Sequence, residues 1–165
     1  MRFTLVDRIT SLSPRESLTA VKSLSLAEEY LADHFPGFPV MPGVLMLEAM
    51  IQAGAWLMRV SEDFRYSTIL LKEAKAVKFN NFVTPGRTLE VAVQVHKWDG
   101  PECTLKGSGT VDGKSAVSAR LTLKQFNLSE NRPELAESDR LRSEAMRDLF
   151  RQLCPSEIFN EEMAE

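Results

Sequence analysis

The segment from Gly43 to Met58 (Gly-Val-Leu-Met-Leu-Glu-Ala-Met-Ile-Gln-Ala-Gly-Ala-Trp-Leu-Met) limits the possible folds more than any other part of the chain. It is apolar around nearly its whole circumference, and a helix of that kind is buried in a core. Glu48 and Gln52 break the pattern, and four residues apart they share one helix face. A carboxyl in the middle of a buried helix is costly unless it is paired, hydrogen-bonded or protonated. A loop, His34-Phe35-Pro36-Gly37-Phe38-Pro39-Val40-Met41-Pro42, leads directly into the helix. It sets an imidazole just ahead of the buried carboxyl, so an acid and a base are expected to converge on one dry pocket.

The chain has 165 residues, 44% hydrophobic and 26% charged, enough for one globular domain with its own core. A net charge of −3 gives no basic field for nucleic acid. Cys103 and Cys154 are too few for a disulfide framework, and His34 and His96 are the only imidazoles, so no metal site is expected. Outside 43–58 there is no run of about 18 apolar residues, and that helix carries Glu48 and is short for a span. No membrane association is expected. No charged start followed by an apolar stretch opens the chain, so the expected location is the cytoplasm.

Residues 3–9 and 18–26 read as two strands about a turn at Pro14, and 27–32 as one or two helical turns. Pro36, Pro39 and Pro42 exclude regular structure through the loop. Pro42 suits the start of the next helix, where its missing N–H is no loss, and that helix is expected to end near Arg59. Beyond it the period changes to two: 67–80, 88–98, 102–111 and 115–126 alternate as long strands. Pro85-Gly86, Asp99-Gly100-Pro101 and Asp112-Gly113 mark the turns. The expected class is α+β, an antiparallel sheet of about six strands wrapped around the long helix, since the sheet must bury its apolar face on something.

This body covers 1–126. After it the composition turns acidic, with 10 acidic and 5 basic side chains over residues 129–165. Leu141, Ala145, Met146, Leu149, Phe150 and Leu153 recur at helical spacing. With Ser138 as N-cap and Pro155 beyond the end, they predict an amphipathic helix over 139–153, docked on the body or on a partner subunit. Residues 156–165 are expected to be flexible.

The run His34-Phe35-Pro36-Gly37, Pro39, Pro42-Gly43-Val44, Glu48-Ala49 and Gln52 strongly resembles the signature of the FabZ-type 3-hydroxyacyl-(acyl-carrier-protein) dehydratases. Leu5-Val6-Asp7-Arg8-Ile9, Lys78-Phe79 and Val83-Thr84-Pro85-Gly86 extend the likeness over roughly residues 3–126. The resemblance implies the hot-dog fold and a homodimer with two active sites at the interface, His from one subunit and Glu from the other. It also implies further assembly as a trimer of dimers. The substrate would be an acyl thioester on the phosphopantetheine of acyl carrier protein, with no other cofactor. Three features depart from the pattern: Asp33 stands where the family usually has Gly, the N-terminal segment is short, and the tail from 127 is extra.

Dehydrating a 3-hydroxyacyl thioester needs a base for the C2 proton, an acid for the C3 hydroxyl and a donor for the thioester oxyanion. Neutral His34 suits the first role. Glu48, expected to titrate high in an apolar helix, suits the second, directly or through a water. The helix N-terminus suits the third, and by the resemblance its donor is the N–H of Gly43. Gln52 is placed to orient Glu48. Phe35, Pro36, Phe38, Met41, Pro42 and Val44 are the candidate tunnel and loop residues. A basic rim for an acidic carrier can draw on Lys72, Lys75, Lys78 and Arg87, with Arg59 and Arg65 also available, although charges on strands are usually just a solvated face. Met46, Met50 and Met58 read as core and tunnel lining, His96 as a solvated strand residue, and neither cysteine as a nucleophile. Competing readings are a hot-dog acyl thioesterase, a non-catalytic acyl-binding hot-dog protein, and a dehydratase that also isomerises the double bond.

Overall fold

The computed structural model describes residues 3–155 and Ile158. Its centre is α1, Gly43–Ser61, at 19 residues slightly longer than the sequence pattern suggests. Pro42 sets its start with φ −53°, and the Pro42 carbonyl accepts from the N–H groups of Leu45 (2.9 Å) and Met46 (3.3 Å). Asp63 and Phe64, both at positive φ, close its far end. By length and composition α1 is a helix that can cross a membrane. Here it is instead the core helix, with Ala49, Met50, Ala53, Leu57 and Met58 fully buried.

Six antiparallel strands wrap it: β1 Arg8–Ser13, β2 Ser17–Ser23, β3 Thr68–Phe79, β4 Thr88–Asp99, β5 Glu102–Val111 and β6 Lys114–Phe126. They lie in the order β1-β2-β4-β5-β6-β3. Cys103, Leu105 and Val111 of β5, and Val117, Leu121 and Leu123 of β6, face inward at every second residue. Helix and sheet touch closely at Gly54, where a Cβ would lie 2.5 Å from Leu105 Cδ1, so no side chain fits there without displacement. This is the hot-dog arrangement, an α+β fold with a C-terminal helix.

Two local expectations are corrected. The first strand begins at Arg8, not at Phe3, because residues 3–5 are held by a side chain of α1 rather than by a neighbouring strand. Ser138 is not an N-cap. Helix α2 spans Ala136–Leu153, its N-cap position is Leu135, and Ser138 lies inside the first turn. The next residue, Asp139, is the anchor. It is 7% exposed and accepts hydrogen bonds from Ser67 Oγ, from the N–H of Leu128 (3.1 Å) and from the N–H of Ser129 (2.8 Å). It thereby ties α2 to a 3-10 turn, Leu128–Glu130, which Asn127 and Glu130 cap and which the sequence pattern did not reveal.

Farther along α2, Phe150 is 1% exposed and packs on Trp56 (6.0 Å between centroids) and Phe64 (5.6 Å). Arg147 donates to the Asp63 carboxylate and carbonyl, both at 2.8 Å, and lies over the Phe64 ring. The extension thus covers the C-terminal end of α1. The stretch 156–165, expected to be flexible, lies outside the described residues except for Ile158.

Truncating Phe150 to Ala leaves a cavity between two aromatic rings and is expected to cost about 3–5 kcal/mol in urea unfolding. A loss below 1 kcal/mol would show that α2 is not packed into the core. Burial pushes the Asp139 carboxyl up, but the hydrogen bonds from Ser67, Ser129 and Leu128 outweigh it and hold the group below the usual carboxylate range. A folded-state pKa below the unfolded one adds stability that is present above the ordinary aspartate pKa of about 4 and fades as pH falls through the folded value. Asp139→Asn should therefore lower Tm at neutral pH and flatten the Tm profile on the acid side. An unchanged profile would contradict this.

Candidate active site

The proline loop is held by its own backbone. Val40 donates its N–H to His34 O (3.0 Å), and Met41 donates to Val83 O (2.9 Å). Phe35 and Phe38 exchange N–H···O bonds at 3.3 and 2.9 Å, which closes the loop on itself. The returning contact matters most for chemistry: His34 Nδ1 lies 3.0 Å from the Val40 carbonyl oxygen. A carbonyl only accepts, so in the neutral imidazole Nδ1 carries the proton and Nε2 holds the free lone pair. The half-buried His34 ring stacks on Phe35 at 4.2 Å. The loop therefore fixes both the orientation and the tautomer of a base.

The start of α1 sits beside it. Pro42 has no N–H, and no side chain caps the helix, so the first-turn N–H groups of Gly43 and Val44 remain without an intrahelical acceptor. Such an end favours an oxyanion. A Cβ on Gly43 would lie 3.0 Å from two carbons of the Phe79 ring, so glycine lets the end of β3 lie across this turn.

Glu48 is half-buried on the open flank of α1 rather than sealed in the core. Gln52 accounts for its setting with all of its amide groups. Its Oε1 accepts from the N–H of Leu5 (2.8 Å), and its Nε2 donates to Phe3 O (3.1 Å) and to Glu48 Oε1 (2.9 Å). The Leu5 contact fixes which amide atom is the acceptor and hence which group points at the carboxylate. Glu48 and Gln52 line a cleft of about 320 Å³ with Ile51, Ala55, Trp56 and Arg59 of α1, Phe3 and Thr4, Ile69, and Met146 and Leu149 of α2. His34 is not part of that lining. One chain presents an imidazole at a loop and a carboxyl in a cleft, each separately positioned.

The remaining candidates divide. Phe35, Pro36, Phe38 and Val44 are exposed, and Pro42 is half-buried. Phe38 meets Phe82 edge-on at 5.8 Å. Met41 is 1% exposed and belongs to the core, as do Met46, Met50 and Met58. Asp33 and His96 are exposed. Both cysteines are buried, and burial pushes the Cys103 thiol up to about 12, which leaves no nucleophile there. Of the rim candidates, Lys72 pairs with Glu102, Lys75 with Glu73 and Arg87 with Asp112. Arg59 is in the cleft, not on a rim. Two basic residues escaped the sequence reading: register places Arg120 opposite both Lys75 and Lys106. Together with Lys78 these residues line a groove on the outer face of the sheet.

A sheet wrapped on one helix, with a tautomer-fixed imidazole at the loop and a carboxylate on the helix flank, defines a hot-dog protein equipped for acid–base chemistry. Residues 1–120 match the FabA-like domain, and the chain belongs to that family. It is 41% identical over 117 residues to the 3-hydroxyacyl-[acyl-carrier-protein] dehydratase FabZ of Levilactobacillus brevis, covering 71% of this chain and 79% of that one. It is 42% identical over 113 residues to the FabZ of Myxococcus xanthus, covering 67% and 74%. Among solved structures, the dehydratase heterocomplex ApeI:P of Xenorhabdus doucetiae has the same fold, with TM-score 0.65 and 19% identity over 81% of this chain and 90% of that one.

Removing the Gln52 amide should free the N-terminal segment and Glu48 together. Gln52→Leu is expected to raise amide exchange at Leu5 and to lower Tm, and unchanged Leu5 protection would contradict the clamp.

Proposed function

We propose that this chain dehydrates (3R)-3-hydroxyacyl thioesters, carried on acyl carrier protein, to trans-2-enoyl thioesters, acting as a carbon–oxygen lyase of fatty-acid biosynthesis. The observation that carries the mechanism is the His34 Nδ1–H···O=C bond to Val40, which leaves Nε2 as the base. Nε2 takes a C2 proton, and the charge that develops on the thioester oxygen is met by the N–H of Gly43. Glu48, held by Gln52, gives its proton to the C3 hydroxyl as the C3–O bond breaks, and water leaves. His34 ends protonated and Glu48 ionised, and proton exchange with solvent resets the pair. Ordinary general acid–base participation is worth about 10²–10⁴-fold for each group.

The enzyme works as a cytoplasmic homodimer in which the His34 loop of one subunit closes over the Glu48 cleft of the other. Support comes from two features of the single chain. The His34 loop does not line the cleft of its own subunit. In addition, β3 is an edge strand that exposes Leu70 and Leu71, while Phe35, Phe38, Val44 and Phe79 are exposed around the loop. A long apolar edge left unpaired is a surface that another chain covers. Dimers assemble further as a trimer of dimers. The phosphopantetheine-bound acyl group is delivered by an acidic carrier, for which the basic groove of Lys75, Lys78, Lys106 and Arg120 offers complementary charge.

Hydration of a crotonyl thioester, followed by loss of enoyl absorbance, tests the reaction in reverse. Wild type should turn over, while His34→Ala and Glu48→Gln should each lose about 10²-fold or more in kcat. Full activity in either variant would remove that residue from the mechanism. Release of free thiol without hydration would indicate a thioesterase, and a 3-enoyl product an isomerase.

A further inference from the structure

Arg59 is the charged residue of the Glu48 cleft lining that the reaction does not use. It lies on the same flank of α1, following Glu48, Gln52 and Ala55 at helical spacing, about 16 Å from Glu48 along the axis. The guanidinium rests over Trp56 at 5.5 Å. Its Nε is buried and has no hydrogen-bond partner. Burial, and then the neighbouring guanidinium of Arg142, lower its pKa to about 10, so it is charged at neutral pH. Among the described residues no carboxylate pairs with it, and the side chain is partly buried, a setting in which a charge gains from a partner. Glu48 is too far away along the helix and is held by Gln52. Between the two charges the wall is apolar: Ile51, Trp56, Ile69, Met146 and Leu149. Met146 and Leu149 come from α2, outside the residues that match the FabA-like domain.

We propose that the Arg59 end of this cleft is an anion subsite that receives the terminal carboxylate of an ω-carboxyacyl chain. The proposal rests on the dehydratase reading, in which the reacting carbons lie at Glu48 and the chain extends along α1. An acyl chain of matching length spans the apolar wall and brings its carboxylate to the guanidinium, which has fork geometry for it. Arg142 adds positive potential, and Met146 and Leu149 of α2 wall the cleft beside it. A methyl-terminated chain of the same length covers the guanidinium without pairing it, and so is selected against. The preference depends on length, because a short chain does not reach Arg59.

The test is a set of 2-enoyl pantetheine thioesters in matched pairs, ending in carboxylate or in methyl, over a series of chain lengths. Hydration kcat/KM is measured for wild type, Arg59→Leu and Arg59→Lys, and each enzyme is read by its own carboxylate-to-methyl ratio. Wild type is expected to favour the carboxylate by about tenfold or more at the spanning length only, as one charge-assisted pair allows. The ratio should collapse in Arg59→Leu and partly persist in Arg59→Lys. A ratio near one in wild type, or one that Arg59→Leu leaves unchanged, overturns the proposal. A change of oligomer size in Arg59→Leu without a change of ratio does so too, and assigns the residue to a subunit contact. If wild type fails even with crotonyl thioester, the dehydratase reading falls. Calorimetry with the saturated acyl-pantetheine pair then decides the subsite alone: tighter binding of the carboxylate that Arg59→Leu abolishes supports it, and equal binding refutes it.

Discussion

Everything in this molecule depends on burying α1. Met46, Met50, Leu57 and Met58 are at most 2% exposed. Each is worth about 1.5–3 kcal/mol in transfer from water. Against that gain stand an uncapped first turn of the helix, a half-buried carboxyl on its flank and Arg59, which has no ion-pair partner among the described residues. The close approach at Gly54 shows how little room the sheet leaves on the packed sides. The candidate catalytic groups therefore lie at the two places the sheet does not cover, the N-terminus of α1 and its open flank.

Each of those places is finished by a neighbouring segment rather than by α1 itself. At the N-terminus, the proline loop brings the His34 ring back onto its own Val40 carbonyl and settles the tautomer. Along the flank, Gln52 acts as a backbone substitute: it pairs with Phe3 and Leu5 as a strand would and spends its remaining N–H on Glu48. A packing contact and a positioning contact share one amide, so the fold of the N-terminal segment and the posture of the acid are coupled.

The strands from residue 88 onward were legible in the sequence almost to the residue, because burial on one face imposes a period of two that composition records directly. The same held for α1 and for the loop, where three prolines leave few choices. What stayed hidden depends on contacts between segments distant in sequence. Nothing local says that Leu5 answers to Gln52 rather than to a strand, or that Asp139 rather than Ser138 anchors the first turns of α2, by accepting from a turn that begins at Leu128. Lys106 and Arg120 join Lys75 only through strand register, and Arg59, counted among rim residues from the sequence, faces the cleft because of its helical phase with Glu48.

The most direct measurement is complementation within a dimer. Two differently tagged chains, one carrying His34→Ala and the other Glu48→Gln, are co-expressed, and the mixed dimer is isolated. Two-fold symmetry gives it one site lacking both groups and one site with both intact. Hydration of an enoyl thioester by the mixed dimer, with both parent homodimers inactive, is the result predicted for a base and an acid that meet across two copies of the chain. A mixed dimer as inactive as its parents would contradict it and place both groups of each site in a single subunit.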